Sequence, residues 1–306
     1  MKPGTRDSYT HAIERVIGHL VANLDGSADL AELASLAHLS PFHFHRVFRG
    51  MVGETPLELL RRLRLERAAH QLRHTALPVT TIAFSAGYET HEAFTRAFRL
   101  AFGDAPSAFR LNRRGRAVLA AGCGIHFDAN GTSASFTPRD TGGSSMQIQL
   151  QQLPALRLAT IEHVGPFNQI GAAFEKLGAI AGPAGLFADP GAMMIATYDD
   201  DPEGKPAEEL RSRAGISLPE GIPLPHDTEE QRIPAATYAS YTHVGGYEVL
   251  GDVWSRFMGE AVPASGHEIS AGPALEIYRT DMRITPKVEW RTDLMVPITP
   301  DGEPPR

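Results

Sequence analysis

The sequence predicts two domains of different class: an all-α domain of two helix-turn-helix units, followed by an α+β domain made of two duplicated strand-helix-strand-strand units related by a pseudo-twofold axis. Three observations predict it. A motif spanning residues 44–56 recurs fifty residues later, a motif opening at Leu153 recurs eighty residues later, and the charge changes sign between the two regions. At 306 residues the chain has room for two cores of ordinary size.

In the front repeat, Phe44, Arg46, Phe48, Arg49, Gly53 and Pro56 return as Phe94, Arg96, Phe98, Arg99, Gly103 and Pro106. The apolar residues of each copy (Phe44, Val47, Phe48, Met51; Phe94, Ala97, Phe98, Ala101) follow i, i+3, i+4, i+7, the spacing of one buried helix face. The opposite face is expected to meet solvent, with Phe42, His45, Arg46 and Arg49 on the first helix and His91, Glu92, Thr95, Arg96 and Arg99 on the second. Ahead of each copy stand Leu33-Ala34 with Ala37 and Ile82-Ala83 with Ala86, so each unit reads as helix, tight turn, helix. Asp29 with Glu32 and Ser40 with Pro41 are start signals in the first unit; Gly87-Tyr88 makes the turn of the second and Thr90 caps its second helix. In such a unit the second helix enters the major groove of DNA and presents its N-terminal residues to base edges.

Flanking elements complete this domain. Tyr9 to Leu24 carries Ile13, Ile17, Leu20 and Leu24 at helical spacing and reads as a support helix. Thr55-Pro56-Leu57-Glu58 is a capping box with proline at the first helical position, opening a helix to about Arg73 that joins the two units. Eighteen residues span on the order of 27 Å, which sets the recognition helices about one duplex turn apart. Arg61, Arg62, Arg64 and Arg67 on the joining helix are candidates for phosphate contact. Residues 1–120 hold sixteen Lys and Arg against eleven Asp and Glu, net +5, and residues 121–306 thirteen against twenty-five, net −12. A basic front half suits a polyanion; an acidic rear half suits cations or serves solubility.

The stretch from about Asp29 to Arg110 resembles the DNA-binding domain of the AraC/XylS family of bacterial transcription regulators, down to its ending Ile82-Ala83, Gly87-Tyr88, Phe94, Phe98-Arg99, Gly103, Pro106, Phe109-Arg110. The resemblance implies base-reading positions at Phe42, His45 and Arg46 on the first helix and His91, Glu92, Thr95 and Arg96 on the second. Phe42 stands where compared relatives carry Trp, and His45, His91 and Glu92 where they carry Gln, so a different operator is implied. His45 and His91 lie on separate helices without a ligand-spaced partner, and Cys123 is the only cysteine, so neither a disulfide nor a thiolate zinc cluster is available. No metal and no cofactor are expected. The domain is assigned to 1–115, and residues 116–145, rich in Gly, Ser, Asn and Pro beyond Asp128, are expected to form a flexible linker.

In the rear repeat, Leu153-Pro154-Ala155, Ala159, His163-Val164-Gly165 and Gly171 return as Ile233-Pro234-Ala235, Ala239, His243-Val244-Gly245 and Gly251. Phe167 matches Tyr247, Phe174 matches Trp254, and Tyr198 matches Tyr278. Each copy reads as a strand (157–164; 237–244), a Gly turn, an amphipathic helix (169–180; 249–258) and two strands (194–198 and 211–218; 275–280 and 291–298). A groove between related halves is a natural ligand site. The halves differ at one telling place: Ala196 of the first corresponds to Glu276 of the second, a carboxylate that no shared packing role explains. His163 and His243, beside the Gly turn in both copies, read as structural.

Residues 146–300 resemble the GyrI-like effector-binding domain, through His163-Val164-Gly165-Pro166-Phe167, Tyr198-Asp199-Asp200, His243-Val244-Gly245-Gly246-Tyr247, Leu275-Glu276-Ile277-Tyr278 and Arg291-Thr292-Asp293-Leu294. Together the two resemblances give a Rob-like domain order. The second implies a pocket for bulky, often cationic or aromatic molecules with Glu276 at its centre, and Tyr198, Tyr278, Phe167, Tyr247 and Trp254 are the candidate walls. The expectation is a non-enzymatic, cytoplasmic transcription regulator with double-stranded DNA, a small effector and RNA polymerase as partners. Its start lacks a signal-peptide apolar segment, and no run reaches membrane-span length. The rival reading is a rear domain that sequesters drugs or hydrolyses small molecules, with Glu276 and Glu162 as acid and base.

Overall fold

A computed structural model describes residues 5–112, 117–130, 136–138, 146–200 and 205–299. Two compact units result: Thr10–His38 with Phe48–Thr141, and Met1–Tyr9 with Leu39–Val47 and Gly142–Arg306.

The helical unit follows its caps. Helix α1 (Thr5–Ala22) precedes α2 (Leu30–Ala37), whose first amides, Ala31 and Glu32, donate to the Asp29 carboxylate. After α3 (Pro41–Val52), helix α4 (Pro56–His74) opens with the predicted capping box: Glu58 N–H donates to Thr55 Oγ1 and Thr55 N–H to Glu58 Oε2. Helices α5 (Val79–Ser85), α6 (His91–Phe102) and α7 (Pro106–Leu111) build the second copy around Leu65, Leu72, Ile82, Phe94, Phe98 and Phe109. Gly87 must be glycine for two reasons: its φ is +82°, and a Cβ there would come within 2.7 Å of the Arg64 guanidinium.

That guanidinium belongs to a set the sequence reading misjudged. Arg62, Arg64 and Arg67 are not spread over an outer face. Arg64 donates to the carbonyls of Leu24 and Gly26, and Arg67 to Asp25 and the Ser85 carbonyl. Arg62 is buried, held by Glu54 at 2.6 Å, Glu66 at 3.2 Å and the Ile125 carbonyl at 2.8 Å. Arg61 remains exposed. The expected linker is likewise corrected where it is described. Leu119 and Phe127 amides donate to Glu66, and Cys123 and Ile125 are buried, so this segment is tied to α4. Residues 113–116, 131–135 and 139–145 lie outside the described residues.

The α+β unit is one antiparallel eight-stranded sheet. Its strands are β1 (Gln149–Leu153), β2 (Leu156–Val164), β3 (Met194–Tyr198), β4 (Arg211–Ser217), β5 (Glu229–Ile233), β6 (Ala236–Val244), β7 (Leu275–Tyr278) and β8 (Arg291–Pro297), ordered β1-β6-β8-β7-β3-β4-β2-β5. Helix α8 (Gly171–Ala181) follows β2, and α9 (Leu250–Arg256) follows β6 and runs through a π-helical stretch, Phe257–Ala261, into α10 (Val262–Ser265). Each repeat has an opening strand the sequence reading lacked, β1 and β5, and these cross over: β1 pairs with β6 of the second repeat and β5 with β2 of the first. The halves meet at β3 and β7, where Ala196 lies directly opposite Glu276. The pseudo-twofold therefore passes through the pair in which Ala196 of the first repeat is matched by Glu276 of the second.

Candidate functional site

Glu276 sits on β7 with only 3% of its surface exposed. Strand register puts Ala196, Ala214 and Ile161 on its face of the sheet, where α8 packs through Ala173 and Leu177. Both carboxylate oxygens are occupied: the Trp254 indole N–H donates to Oε1 at 2.6 Å and the Tyr278 hydroxyl to Oε2 at 2.7 Å. These are neutral donors, which solvate a buried charge without cancelling it.

Aromatic rings enclose this carboxylate. Phe174 meets Tyr278 edge-on at 5.1 Å, Tyr247 meets Tyr278 at 5.3 Å and Trp290 at 4.8 Å, and Phe167 meets Tyr198 at 4.8 Å. Burial, and next the Glu276 charge, hold the Tyr198 and Tyr278 phenols well above their usual range. The same two causes push Tyr247 up to about 12. All three hydroxyls thus stay protonated at neutral pH. The wall residues expected from sequence, Phe167, Tyr198, Tyr247, Trp254 and Tyr278, are brought together around Glu276. Phe174 and Trp290 were missed. Phe174 had a signal, as the repeat partner of Trp254, whereas Trp290 corresponds to Leu210 and had none.

A carboxylate ringed by aromatic faces suits an organic cation, through charge attraction and cation–π contact together. The same geometry disfavours acid–base hydrolysis by Glu276 with Glu162. Glu162 pairs in register with Arg213, Arg213 with Thr197 and Thr197 with Leu275, the neighbour of Glu276. Register partners share a face and chain neighbours do not, so the two carboxylates project from opposite faces of the sheet. His163 and His243 serve the turns: their Nε2 atoms lie 3.1 Å from the Pro166 carbonyl and 3.3 Å from the Gly246 carbonyl. Among the described residues no group of three or more His, Cys, Asp or Glu side chains is placed to hold a metal ion, and no helix is long and apolar enough to cross a membrane.

The two candidate DNA-reading helices differ. On α6, Thr90 Oγ1 accepts from the Ala93 amide, Glu92 and Arg96 are exposed, and His91 and Thr95 are half-buried. On α3 the expectation of a solvent-facing polar side is overturned. His45 is 3% and Arg46 7% exposed, and the segment Leu39–Val47 belongs to the compact unit of the sheet. The Arg46 guanidinium carbon stands 4.7 Å from the centroid of the Trp254 ring. Arg49 is exposed, and the Phe42 side chain lies outside the described residues.

Comparison with known proteins gives two family matches: a GyrI-like small molecule binding domain over residues 146–299 and a helix-turn-helix domain over 33–112. The RCS-specific HTH-type transcriptional activator RclR of Escherichia coli (strain K12) is 44% identical over 78 residues, 26% of this chain and 28% of that protein. The match thus spans under a third of RclR's length. A DNA gyrase inhibitor of Edwardsiella piscicida is 31% identical over 164 residues, 50% of this chain and 98% of that protein. Among solved structures, the EcmrR C-terminal domain matches 50% of this chain and 97% of its own at 20% identity, with a TM-score of 0.38. The chain belongs to the GyrI-like family through residues 146–299 and carries an AraC-type helix-turn-helix domain ahead of it.

Proposed function

We propose that this protein is a one-component, cytoplasmic transcription regulator whose helix-turn-helix pair binds a specific DNA sequence and whose rear domain binds a hydrophobic organic cation. The observation that carries the effector reading is the buried Glu276 carboxylate among aromatic rings, on the pseudo-twofold axis where the first repeat has Ala196. Base contact is assigned to His91, Glu92, Thr95 and Arg96 on α6, and to Phe42, His45 and Arg46 on α3 only in a state in which the buried His45 and Arg46 have become exposed. Effector contact is assigned to Glu276, Tyr198, Tyr278, Phe167, Tyr247 and Trp254. The effector acts by population shift, favouring one of two states that differ in affinity for DNA or in contact with RNA polymerase. Catalysis is not part of this reading: Glu276 is already engaged by two donors, and Glu162 is on the other face of the sheet.

Selection from random duplexes, with and without tetraphenylphosphonium, tests it. One enriched non-palindromic sequence of about two adjacent major-groove segments is expected for the monomer. Arg96→Ala should weaken that sequence by about 1–3 kcal/mol and relax preference in one half of it. Glu276→Gln should abolish the response to the cation and leave ligand-free DNA binding intact. No enrichment, or a response to the cation that survives Glu276→Gln, refutes the reading.

A further inference from the structure

Two broken symmetries converge on one contact. Arg46 and Arg96 are the same residue at the same position of the front duplication, yet Arg96 is exposed and Arg46 is buried. The helix-turn-helix frame does not demand burial there, since its twin copy does without it. Arg46 stands over the ring of Trp254, and Trp254 is itself a departure from duplication, standing where the first repeat has Phe174. An indole is the best cation–π surface among the side chains. Its N–H edge donates to Glu276, which replaces Ala196 of the first repeat. Arg46 thus lies over the face of the ring whose edge holds the carboxylate, and its positive charge also reaches Tyr198, acting against the upward push of burial on that phenol. Three side chains from three elements, each distinguished from its repeat partner in identity or exposure, form one row: guanidinium, indole, carboxylate.

We propose that Arg46 is a built-in occupant of the effector site. It holds the cation position over Trp254 in the absence of ligand. A cationic effector takes that position instead and releases Arg46, with His45, from the sheet's unit for use on DNA. This rests on the effector reading above and adds to it the identity of the competitor. It accounts for burial of two residues that the helix pattern places on the DNA-reading face of α3. It also makes the effector's apparent affinity lower than its intrinsic affinity, by the fraction of molecules in which Arg46 has left the site.

The test uses the full chain and two probes, tetraphenylphosphonium and the neutral triphenylphosphine oxide, by calorimetric titration. Arg46→Met keeps most of the apolar stem and removes the charge, and should bind the phosphonium about tenfold more tightly than wild type, with a smaller change for the neutral probe. Arg96→Met removes the same charge from the exposed twin and should leave phosphonium affinity unchanged. In the wild type, which needs no variant to fold, saturating phosphonium should raise amide hydrogen exchange across residues 43–49 about tenfold. If Arg46→Met and wild type bind the phosphonium equally while Glu276→Gln loses it, Arg46 is no occupant and the effector reading stands. Unchanged exchange at 43–49 in the saturated wild type overturns the proposal in the same way. If no protein binds the phosphonium, Arg46→Met included, both readings fall.

Discussion

Placing a second carboxylate on the pseudo-twofold axis should be costly, and by a calculable amount. Ala196 is fully buried and lies directly opposite Glu276 on the neighbouring strand. Directly opposed residues have Cβ atoms about 4.5–5.5 Å apart. In Ala196→Glu, two like charges about 5 Å apart at an effective dielectric constant of about 20 repel by about 3 kcal/mol. Overpacking adds about 1–3 kcal/mol, and Ala196→Gln carries that part without the charge. The gap between the Glu and Gln variants therefore isolates the repulsion. In the folded double-carboxylate variant the pair should take up one proton at a pH above the ordinary carboxylate range, while the unfolded chain ionises normally. The folded state then binds more protons than the unfolded one, so the penalty is present at high pH and fades as pH falls. The gap should be about 3 kcal/mol at pH 7.5 and about 1 kcal/mol at pH 5. Urea unfolding followed by tryptophan fluorescence reads this unit directly, since both tryptophans of the chain, Trp254 and Trp290, belong to it. Equal stability of the two variants at pH 7.5, or a gap unchanged at pH 5, would refute the claim that charge keeps the axis asymmetric.

Glu66→Ala should destabilise the helical unit by about 3–5 kcal/mol, because it strips a buried partner from Arg62 and leaves the Leu119 and Phe127 amides without their acceptor; urea unfolding followed by circular dichroism checks it, and a loss under about 1 kcal/mol would show the network to be dispensable. His43 is buried, and burial first and the Arg46 charge second lower its imidazole to about 4. Its folded pKa lies below the unfolded value, so its share of stability is present above pH 6.5 and is lost on acidification towards pH 4, roughly 2 kcal/mol by pH 5; His43→Leu should remove that share of the pH dependence, and an unchanged slope would count against it. Gly165 and Gly245 hold φ of +137° and +135° at the two matching turns, so either Gly→Ala change should cost about 1–3 kcal/mol in thermal unfolding, with equal effects at the two sites if the repeats are equivalent.

Much of the fold was legible because its signals are local. Thr55 with Glu58 caps α4, Asp29 caps α2 and Thr90 caps α6, each through atoms within three residues of one another. Strands β3 and β4 begin where alternation and repeat position put them. The opening strands β1 and β5 escaped notice because both are sheet edges. Glu229-Glu230-Gln231-Arg232-Ile233 is polar almost throughout, and an edge strand needs little apolar pattern once its neighbour supplies the hydrogen bonds.

Comparing the chain with itself was enough to find the two duplications and to show that Glu276 stands where the first repeat has Ala196, while the resemblance to the GyrI-like domain put Glu276 at the centre of a pocket and pointed to five of its aromatic neighbours. Each of those is a statement about residue identity at matched positions, which a linear sequence contains in full. Exposure is different, because it depends on what arrives from elsewhere in the chain. Helical periodicity places Arg46 and Arg96 on equivalent faces, and only the folded chain sets Trp254 over the first while leaving the second open. The same holds for Arg62, whose charge looked like surface until Glu54, Glu66 and the Ile125 carbonyl closed around it from up to sixty-three residues away. Register likewise put Glu162 and Glu276 on opposite faces, a parity that pairing across four strands decides and spacing along one strand cannot.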